Sequence, residues 1–466
     1  MLRPIHIGAA HVTYTEAQTH GAALLPAPPA CLTPGEAMPR YPSAPAAVSA
    51  HQGTAPEAGP PVERTRRRIL MVLLFSQVFS GVGLAAGVTV ASLLLQDMLE
   101  TTALAGLGIA LLTAGSAFAA VAVGRVSHVR GRRPGLAGGY LVGALGGAGV
   151  IAAATLGSPA LLFVSLFLYG AGTAVNLQAR YAGTDLAAPA HRARAISTVL
   201  VATTVGAVLG PNLAAPTGDL AVALGLPRLT GLFLLSSAAF ALAALVLILW
   251  LRPDPLLLAR SLPAEQHPTD DSSASPTSPH SGRRASRLGL GVLVLVLSQL
   301  VMVAVMTMTP VHMHAHSLGT AASGLVIAFH VGAMFLPSPL TGLLVDRYGP
   351  LAIVTAAAAT LVAAGVLAAT APGDSVTLLT LALILLGLGW NFGLVSGTAL
   401  VTDAIPLDTR AKTQGLIDVA FAIAGATGAL ASGMVVAAAS YPILALTGAA
   451  FAIGLLPAII ATAYKR

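Results

Sequence analysis

Apolar runs of about 20 residues recur along this chain, and they constrain its fold more than any other feature. A helix of that length spans the hydrocarbon core of a bilayer, which is roughly 30 Å thick. The long gap falls after the sixth run, so the runs form two groups of six. The sequence therefore predicts an all-α membrane protein with twelve transmembrane helices, at residues 69–95, 103–123, 135–156, 160–180, 193–216, 229–251, 288–310, 320–345, 350–372, 376–402, 414–437 and 441–463.

The composition agrees with a membrane protein. Hydrophobic residues make up 56% of the chain and charged residues only 9%, whereas a soluble domain carries roughly 25% charged residues. The single cysteine, Cys31, excludes a disulfide framework and a thiol ligand inside the predicted helices.

The basic residues lie almost entirely on one side of the predicted membrane. They precede helix 1 and fill the loops that follow helices 2, 4, 6, 8 and 10, and only Arg228 falls on the opposite side. By the positive-inside rule, both termini are expected in the cytoplasm, and the protein in the cytoplasmic (inner) membrane of a bacterium. The net charge of +7 thus reflects topology. We expect the lipid bilayer and a small ion or small molecule as partners, no nucleic acid, and a monomer.

Two segments lie outside the predicted bundles. Residues 1–64 are rich in Ala, Pro and Thr and are predicted to be a disordered cytoplasmic tail. Residues 252–287 are Ser- and Pro-rich and are predicted to be a cytoplasmic linker. The linker separates an N-terminal six-helix bundle, residues 65–251, from a C-terminal six-helix bundle, residues 288–466.

The two bundles are copies of one unit. The segment GRVSHVRGRRP at 124–134 matches GLLVDRYGP at 342–350, and Thr184-Asp185 matches Thr402-Asp403. Arg192-Ala193-Arg194 likewise matches Arg410-Ala411-Lys412, and all these pairs are 218 residues apart. A duplicated six-helix unit accounts for one constant offset.

At these residues the chain resembles the major facilitator superfamily of secondary transporters. The family signature after helix 2 is Gly, any, Leu, Ala, Asp, Arg, any, Gly, Arg, Arg, and here His128 stands in the place of the acid. The resemblance implies two halves that rock about a central substrate site and a cytoplasmic gate in which the acid meets a helix end and a basic residue. Of the two copies, the one with Asp346 is the stronger candidate. The implied gate residues are Gly124, Gly131, Arg132, Arg133, Gly342, Asp346, Arg347 and Gly349.

Methionine and histidine cluster in helices 7 and 8. Five of the ten Met and four of the twelve His lie between Met302 and Met334. Met302 and Met306 share one helix face, as do His330 and Met334, because residues four apart lie above one another. Thioether and imidazole are ligands that monovalent copper prefers. A packing role for the methionines is the alternative.

The pair of motifs, Met-x-x-x-Met and His-x-x-x-Met, resembles the CcoA-type bacterial copper importers of the same superfamily. The resemblance implies that Met302, Met306, His330 and Met334 handle copper. Further residues at the outer end of helix 7 are interpreted as a possible capture site for the ion, namely Met308, His312, Met313, His314 and His316.

The sequence therefore predicts a secondary transporter that takes up copper, with copper as its substrate and no cofactor. The alternative is a proton-coupled transporter, for efflux or uptake, of a small organic solute such as a drug or metabolite. In either case His330 or Asp418 would carry protons if protons drive transport. A copper sensor or assembly factor is a third possibility. No nucleotide-binding loop, zinc-type spacing or nucleophile constellation is present in the sequence, so an enzyme is not expected.

Overall fold

The computed structural model describes residues 60–99, 105–262, 279–318 and 320–464, and the regular elements among them are helices. The predicted tail lies almost wholly outside these residues. The first half contains α1 (Pro60–Leu99), α2 (Ala105–Arg130), α3 (Arg132–Leu156), α4 (Pro159–Ala182), α5 (Arg192–Asn212), α6 (Ala214–Ala223) and α7 (Gly231–Trp250). A short helix, α8 (Pro255–Ser261), follows it. The second half contains α9 (Pro279–Ala315), α10 (Thr320–Phe335), α11 (Ser338–Tyr348), α12 (Pro350–Thr370), α13 (Val376–Ala404), α14 (Arg410–Ala438), α15 (Tyr441–Ile453) and α16 (Leu455–Tyr464).

Eleven spans in the described part of the chain are long and apolar enough to cross a membrane, so this is a multi-pass membrane protein. They coincide with eleven of the twelve predicted helices, and the predicted fifth helix coincides with α5. The predicted eighth helix is divided into α10 and α11 around Pro337. Proline lacks a backbone N–H and disturbs the turn before it, which explains the interruption within one span.

The loop motif of each half turns at a glycine. Gly131 lies between α2 and α3 with a φ of 93°, and Gly349 lies between α11 and α12 with a φ of 83°. A side chain is strongly disfavoured in this left-handed region, whereas glycine enters it readily. The duplicated glycines are therefore explained by backbone geometry.

The two halves meet along two seams, α2 against α14 and α5 against α11. At the first seam Gly124 faces Gly415, and a Cβ on Gly415 would lie 2.6 Å from the Ala120 carbonyl oxygen. At the second seam, a Cβ on Gly342 would lie 2.8 Å from the Ala193 carbonyl oxygen. Small residues let membrane helices approach closely. These seams hold the halves in contact on one side of the bundle.

Candidate functional site

A cavity of about 260 Å³ lies between the two halves. Its volume is close to the lower end of the range for small-molecule sites, roughly 300–1,000 Å³. Both halves supply its walls, α1, α2 and α4 from the first and α9 and α14 from the second. The lining residues are Leu84, Leu112, Thr113, Ser116, Ala120, Tyr169, Thr173, Ala174, Leu177, Gln299, Val303, Asp418, Phe421, Ala422, Gly425, Ala426 and Ala429.

The cavity wall is mostly apolar, with a few polar groups held in place by their neighbours. The Gln299 Oε1 accepts a hydrogen bond from Trp390 Nε1 at 2.8 Å, and the Tyr169 hydroxyl donates to the Gly83 carbonyl. Gln299 thus both lines the cavity and forms a hydrogen bond between α9 and α13. Such a wall suits an organic solute with an apolar body and few polar groups.

A buried ion pair joins the halves beside the cavity. Arg180 of α4 is 0% exposed, and its Nη2 lies 2.8 Å from the Asp418 Oδ1 of α14. The Tyr181 hydroxyl donates to the same oxygen at 3.3 Å, and Arg180 Nε donates to Thr398 Oγ1 at 3.2 Å. Because α4 and α14 belong to different halves, these bonds cross the interface.

Arg180 was interpreted from the sequence only as a determinant of topology. An ionisable residue within a transmembrane segment is a functional candidate by default, and that signal was available in the stretch NLQARYAG. The sequence could not identify Asp418 as its partner, because the two residues are 238 positions apart.

The loops α2–α3, α4–α5, α11–α12 and α13–α14 lie on what we call the basic side. Here Arg132, 0% exposed, donates to Asp185 Oδ2 at 2.7 Å and to Gln414 Oε1 at 2.6 Å. The bond to Gln414 joins the two halves. Arg133 behaves differently, because its side chain donates to the Ile248 carbonyl, at 2.6 Å from Nη2, within the first half.

In the second copy of the motif, an acidic side chain contacts the first half. The Asp346 carboxylate accepts hydrogen bonds from the backbone N–H groups of Ala193 and Arg194 at 3.1 and 3.2 Å. Arg194 Nε lies 3.3 Å from the same carboxylate. The N-terminus of a helix favours a negative charge, and α5 begins at this point. The contact has the geometry implied by the family resemblance, an acid meeting a helix end and a basic residue; its role as a gate stays a prediction.

A further pair crosses the interface beside this contact. Arg192 Nη1 lies 2.5 Å from Asp403 Oδ1. The charge partners of Asp185 and Asp403 were not predicted from the sequence. The remaining gate candidate, Arg347, is exposed, and its guanidinium lies 5.5 Å from the centre of the Tyr348 ring.

His128 occupies the position where the family motif has an acid, and it contacts α8. Arg260 Nη1 donates to the His128 carbonyl at 2.9 Å, and Arg260 Nη2 lies 3.4 Å from His128 Nδ1. The same Nη2 donates to the Asp408 carbonyl at 2.8 Å, just before α14 begins. The segment predicted to be only a linker thus supplies a bridge between the halves.

Three of the four predicted copper residues are buried inside the second half. Met302, His330 and Met334 are 4%, 0% and 8% exposed, and Met306 packs against the same cluster at its edge. None of the four is among the residues that line the cavity. The His330 Nδ1 lies 2.8 Å from the Leu383 carbonyl oxygen of α13, and α10 packs mainly against α13 and less against α9.

The predicted outer capture residues are divided between core and surface. Met313 is 0% exposed and Met308 is half-buried, whereas His314 and His316 are exposed. The His312 ring stacks on Tyr441 at 4.3 Å and lies 4.4 Å from the His316 ring. Within the described ranges, no group of three or more His, Cys, Asp or Glu is arranged to hold a metal ion.

Comparison with known proteins finds a family model that matches most of the chain. The Major Facilitator Superfamily model matches residues 73–429 and 313–465. YdeG of Bacillus subtilis (strain 168), named an uncharacterized MFS-type transporter, is 52% identical over 395 residues, which is 84% of this chain and 91% of that protein. RfnT of Brucella anthropi, named a riboflavin transporter, is 33% identical over 362 residues, 76% of this chain and 85% of that protein.

Among solved structures, the fold is similar to that of the proton:xylose symporter XylE, with a TM-score of 0.68. The identity is 16%, and the match covers 84% of this chain and 94% of that chain. At this identity the likeness concerns the fold alone.

Proposed function

Because the chain belongs to the major facilitator superfamily, a family of secondary transporters, we propose that it moves a small organic solute through the cavity between its halves. The observation that carries this proposal is the cavity itself, of about 260 Å³, with walls drawn from both halves. Its wall is apolar with a few neutral polar groups and one carboxylate, which suits an organic solute better than a soft metal ion.

Alternating access explains why so many polar contacts join the halves near the cavity. Transport requires the cavity to open to each side in turn. The bonds of Arg132, Arg180, Arg192, Asp346 and Arg260 close the basic side, and each would break when that side opens. Polar and charged contacts suit such a seam, because water can replace the partners once the halves separate.

Riboflavin is the first solute to test, because a relative that covers most of this chain is named a riboflavin transporter. Asp418 and His330 remain the two candidates for carrying protons, and Asp418 is the one that lines the cavity.

The test is transport of riboflavin, and of a wider panel of organic solutes, by cells expressing the wild-type chain or Ala426→Trp. Ala426 lines the cavity, so the indole would fill much of its volume, and we expect at least a tenfold loss of transport. The matched control is Leu430→Trp on the same helix, because Leu430 is 73% exposed on the outer surface. Transport that survives Ala426→Trp at equal membrane abundance would exclude the cavity as the path.

Copper uptake is the second candidate function, and His330 is the observation that favours it. Its Nε2 is buried and has no hydrogen-bond partner among the described residues. A neutral imidazole whose other nitrogen is hydrogen-bonded can coordinate a metal through the remaining one. Met302 and Met334 belong to the same buried cluster and offer thioether ligands.

Copper uptake is tested by cellular copper in strains that express the wild-type chain or the variant Met302→Leu/Met306→Leu. A copper path predicts that the wild type raises cellular copper and that the variant does not, because leucine keeps the volume and removes the sulfur. Met434→Leu is the control, since Met434 is 73% exposed on the surface of α14. Equal copper in all three strains would leave the methionines as packing residues.

A further inference from the structure

The Asp418 carboxylate has one oxygen that is bonded twice and one that is not bonded. Oδ1 accepts from Arg180 Nη2 at 2.8 Å and from the Tyr181 hydroxyl at 3.3 Å. Oδ2 is buried and has no partner in the described part of the chain. The residue is only 3% exposed, and it lines the cavity.

A buried carboxylate oxygen without a donor is costly. Leaving a buried acceptor unsatisfied costs about 1–3 kcal/mol, and more for a charged group. The neighbouring cation, Arg180, bonds Oδ1 of this carboxylate and not Oδ2. Arg180 already donates through Nη1 to the Leu177 carbonyl at 2.5 Å, through Nε to Thr398, and through Nη2 to Oδ1. The missing donor is therefore most simply supplied from the cavity.

We propose that Asp418 Oδ2 anchors the transported solute, and that the solute carries an N–H or O–H donor attached to a largely apolar body. This inference rests on the proposed function. The solute need not be a cation, because Arg180 already balances the charge of the carboxylate. Amides, imides, lactams, phenols and amines with a free N–H or O–H fit this class, and their fully alkylated counterparts do not.

Matched pairs of solutes test the inference on the unaltered protein. The purified full chain is titrated with riboflavin and 3-methylriboflavin, which differ by one imide N–H, and with aromatic primary amides and amines beside their N,N-dimethyl counterparts. Binding is measured by isothermal calorimetry and by the shift of the unfolding temperature. We expect methylation to weaken binding about tenfold or more, the factor that a hydrogen bond to a charged group supplies.

Asp418→Asn tests the same contact from the protein side. The asparagine Oδ1 can still accept from Arg180 and Tyr181, while an NH₂ group replaces Oδ2. We expect Asp418→Asn to bind the two members of each pair with about equal affinity. Asp374→Asn is the matched control, because Asp374 is exposed in the α12–α13 loop, and it should keep the wild-type preference. If Asp418→Asn does not fold, the solute pairs on the wild type decide alone.

Each alternative outcome overturns the inference, the proposed function, or both. Equal binding of both members of every pair by the wild type overturns the inference and leaves the proposed function intact. If Asp418→Asn keeps the solute preference and loses only a pH dependence of transport, the carboxylate binds a proton and the inference is wrong. If no solute binds and Ala426→Trp changes no transport, the proposed function and the inference fall together.

Discussion

The α2–α3 loop and the α11–α12 loop occupy equivalent positions in the two halves, yet they hold the opposite half with charges of opposite sign. The first loop reaches across with a cation, since Arg132 donates to Gln414. The second reaches across with an anion, since Asp346 accepts from the first turn of α5. Their turning glycines, Gly131 and Gly349, have nearly the same φ, 93° and 83°.

This difference shows that the duplication preserved the backbone turn and not the partner. In the first loop the acid of the family motif is replaced by His128, and Arg260 of α8 bridges the halves beside it. The second loop retains the acid and needs no such bridge. Two equivalent loops therefore contact the opposite half through two kinds of chemistry, and the two kinds should respond differently to substitution.

The largest effect is expected from Arg132→Met. Arg132 and Asp185 are both 0% exposed at their side chains, so the substitution leaves a buried carboxylate unpaired. Removing one partner of a buried ion pair costs about 3–5 kcal/mol. The free energy of unfolding of the purified protein should fall by that amount.

Arg133→Met is the matched control for Arg132→Met. Arg133 is half-buried, and its side chain bonds only to the Ile248 carbonyl of its own half in the described structure. Its loss should cost about 1 kcal/mol. Equal destabilisation by the two variants would contradict the buried ion pair between Arg132 and Asp185.

Asp346→Asn should have the next largest effect. It removes the negative charge at the start of α5 and weakens a cap, which is worth about 1 kcal/mol. The basic side should then open about fivefold more often. Labelling of Ala120→Cys from the basic side measures this opening, with Cys31, the only native cysteine, replaced by Ser.

The second copy of the motif also contains a control for Asp346→Asn. Arg347→Gln alters the neighbouring charge, which is exposed and lies over the Tyr348 ring. It should leave the labelling rate of Ala120→Cys unchanged. A rise equal to that of Asp346→Asn would mean that the net charge of the loop matters, and not the cap.

Arg260→Ala is expected to raise the same labelling rate by about two- to threefold. The guanidinium is half-buried and donates to carbonyls of both halves. Because solvent screens a partly exposed contact, it is worth only about 0.5 kcal/mol. Arg125→Ala, at an exposed position of α2, should leave the labelling rate unchanged. An unchanged rate with Arg260→Ala would contradict a bridge between the halves through Arg260.

The smallest effect is expected from His128→Asp, which restores the acid of the family motif. The new carboxylate would lie near the Arg260 guanidinium, which is now 3.4 Å from His128 Nδ1. A half-buried pair that solvent screens is worth about 0.3–0.5 kcal/mol, so the labelling rate should fall less than threefold. In an Arg260→Ala background the substitution should have no effect, since its partner is absent. If the labelling rate of Ala120→Cys falls by the same factor in that background, the new carboxylate acts on the N-terminus of α14 and not on Arg260.

Much of the scaffold could be predicted from the sequence. The apolar runs mark the spans, and eleven of them coincide with helices in the described part of the structure. The constant offset of 218 residues reveals the duplication. The interruptions at Pro337 and at Gly454 were not predicted, because the mean hydropathy of an apolar run is insensitive to one broken turn.

The candidate site was predicted less well. The spacing of Met and His predicted a site between predicted helices 7 and 8, which are α9 and α10–α11 in the structure. The cavity is instead lined by α1, α2, α4, α9 and α14. Of the candidate site residues given in the sequence analysis, Asp418 is the one that belongs to the cavity wall among the described residues. Arg180, Arg192 and Arg260 were counted as topology determinants. The positive-inside rule accounts for the side of the membrane on which a basic residue lies, and it does not depend on the groups that the residue contacts.

The sequence by itself determined that this chain is a duplicated, helical membrane protein, because span length, the constant offset and the turning glycines can be read directly from the order of the residues. Its loop motif supplied the resemblance to the major facilitator superfamily. Only the tertiary structure decided which charges meet across the interface, such as Arg180 with Asp418, 238 residues apart. It also decided that Met302 and His330 pack inside one half and do not line the cavity. The physical reason is that helix spacing fixes which residues share a face, whereas the element that a face meets is set by how the helices pack.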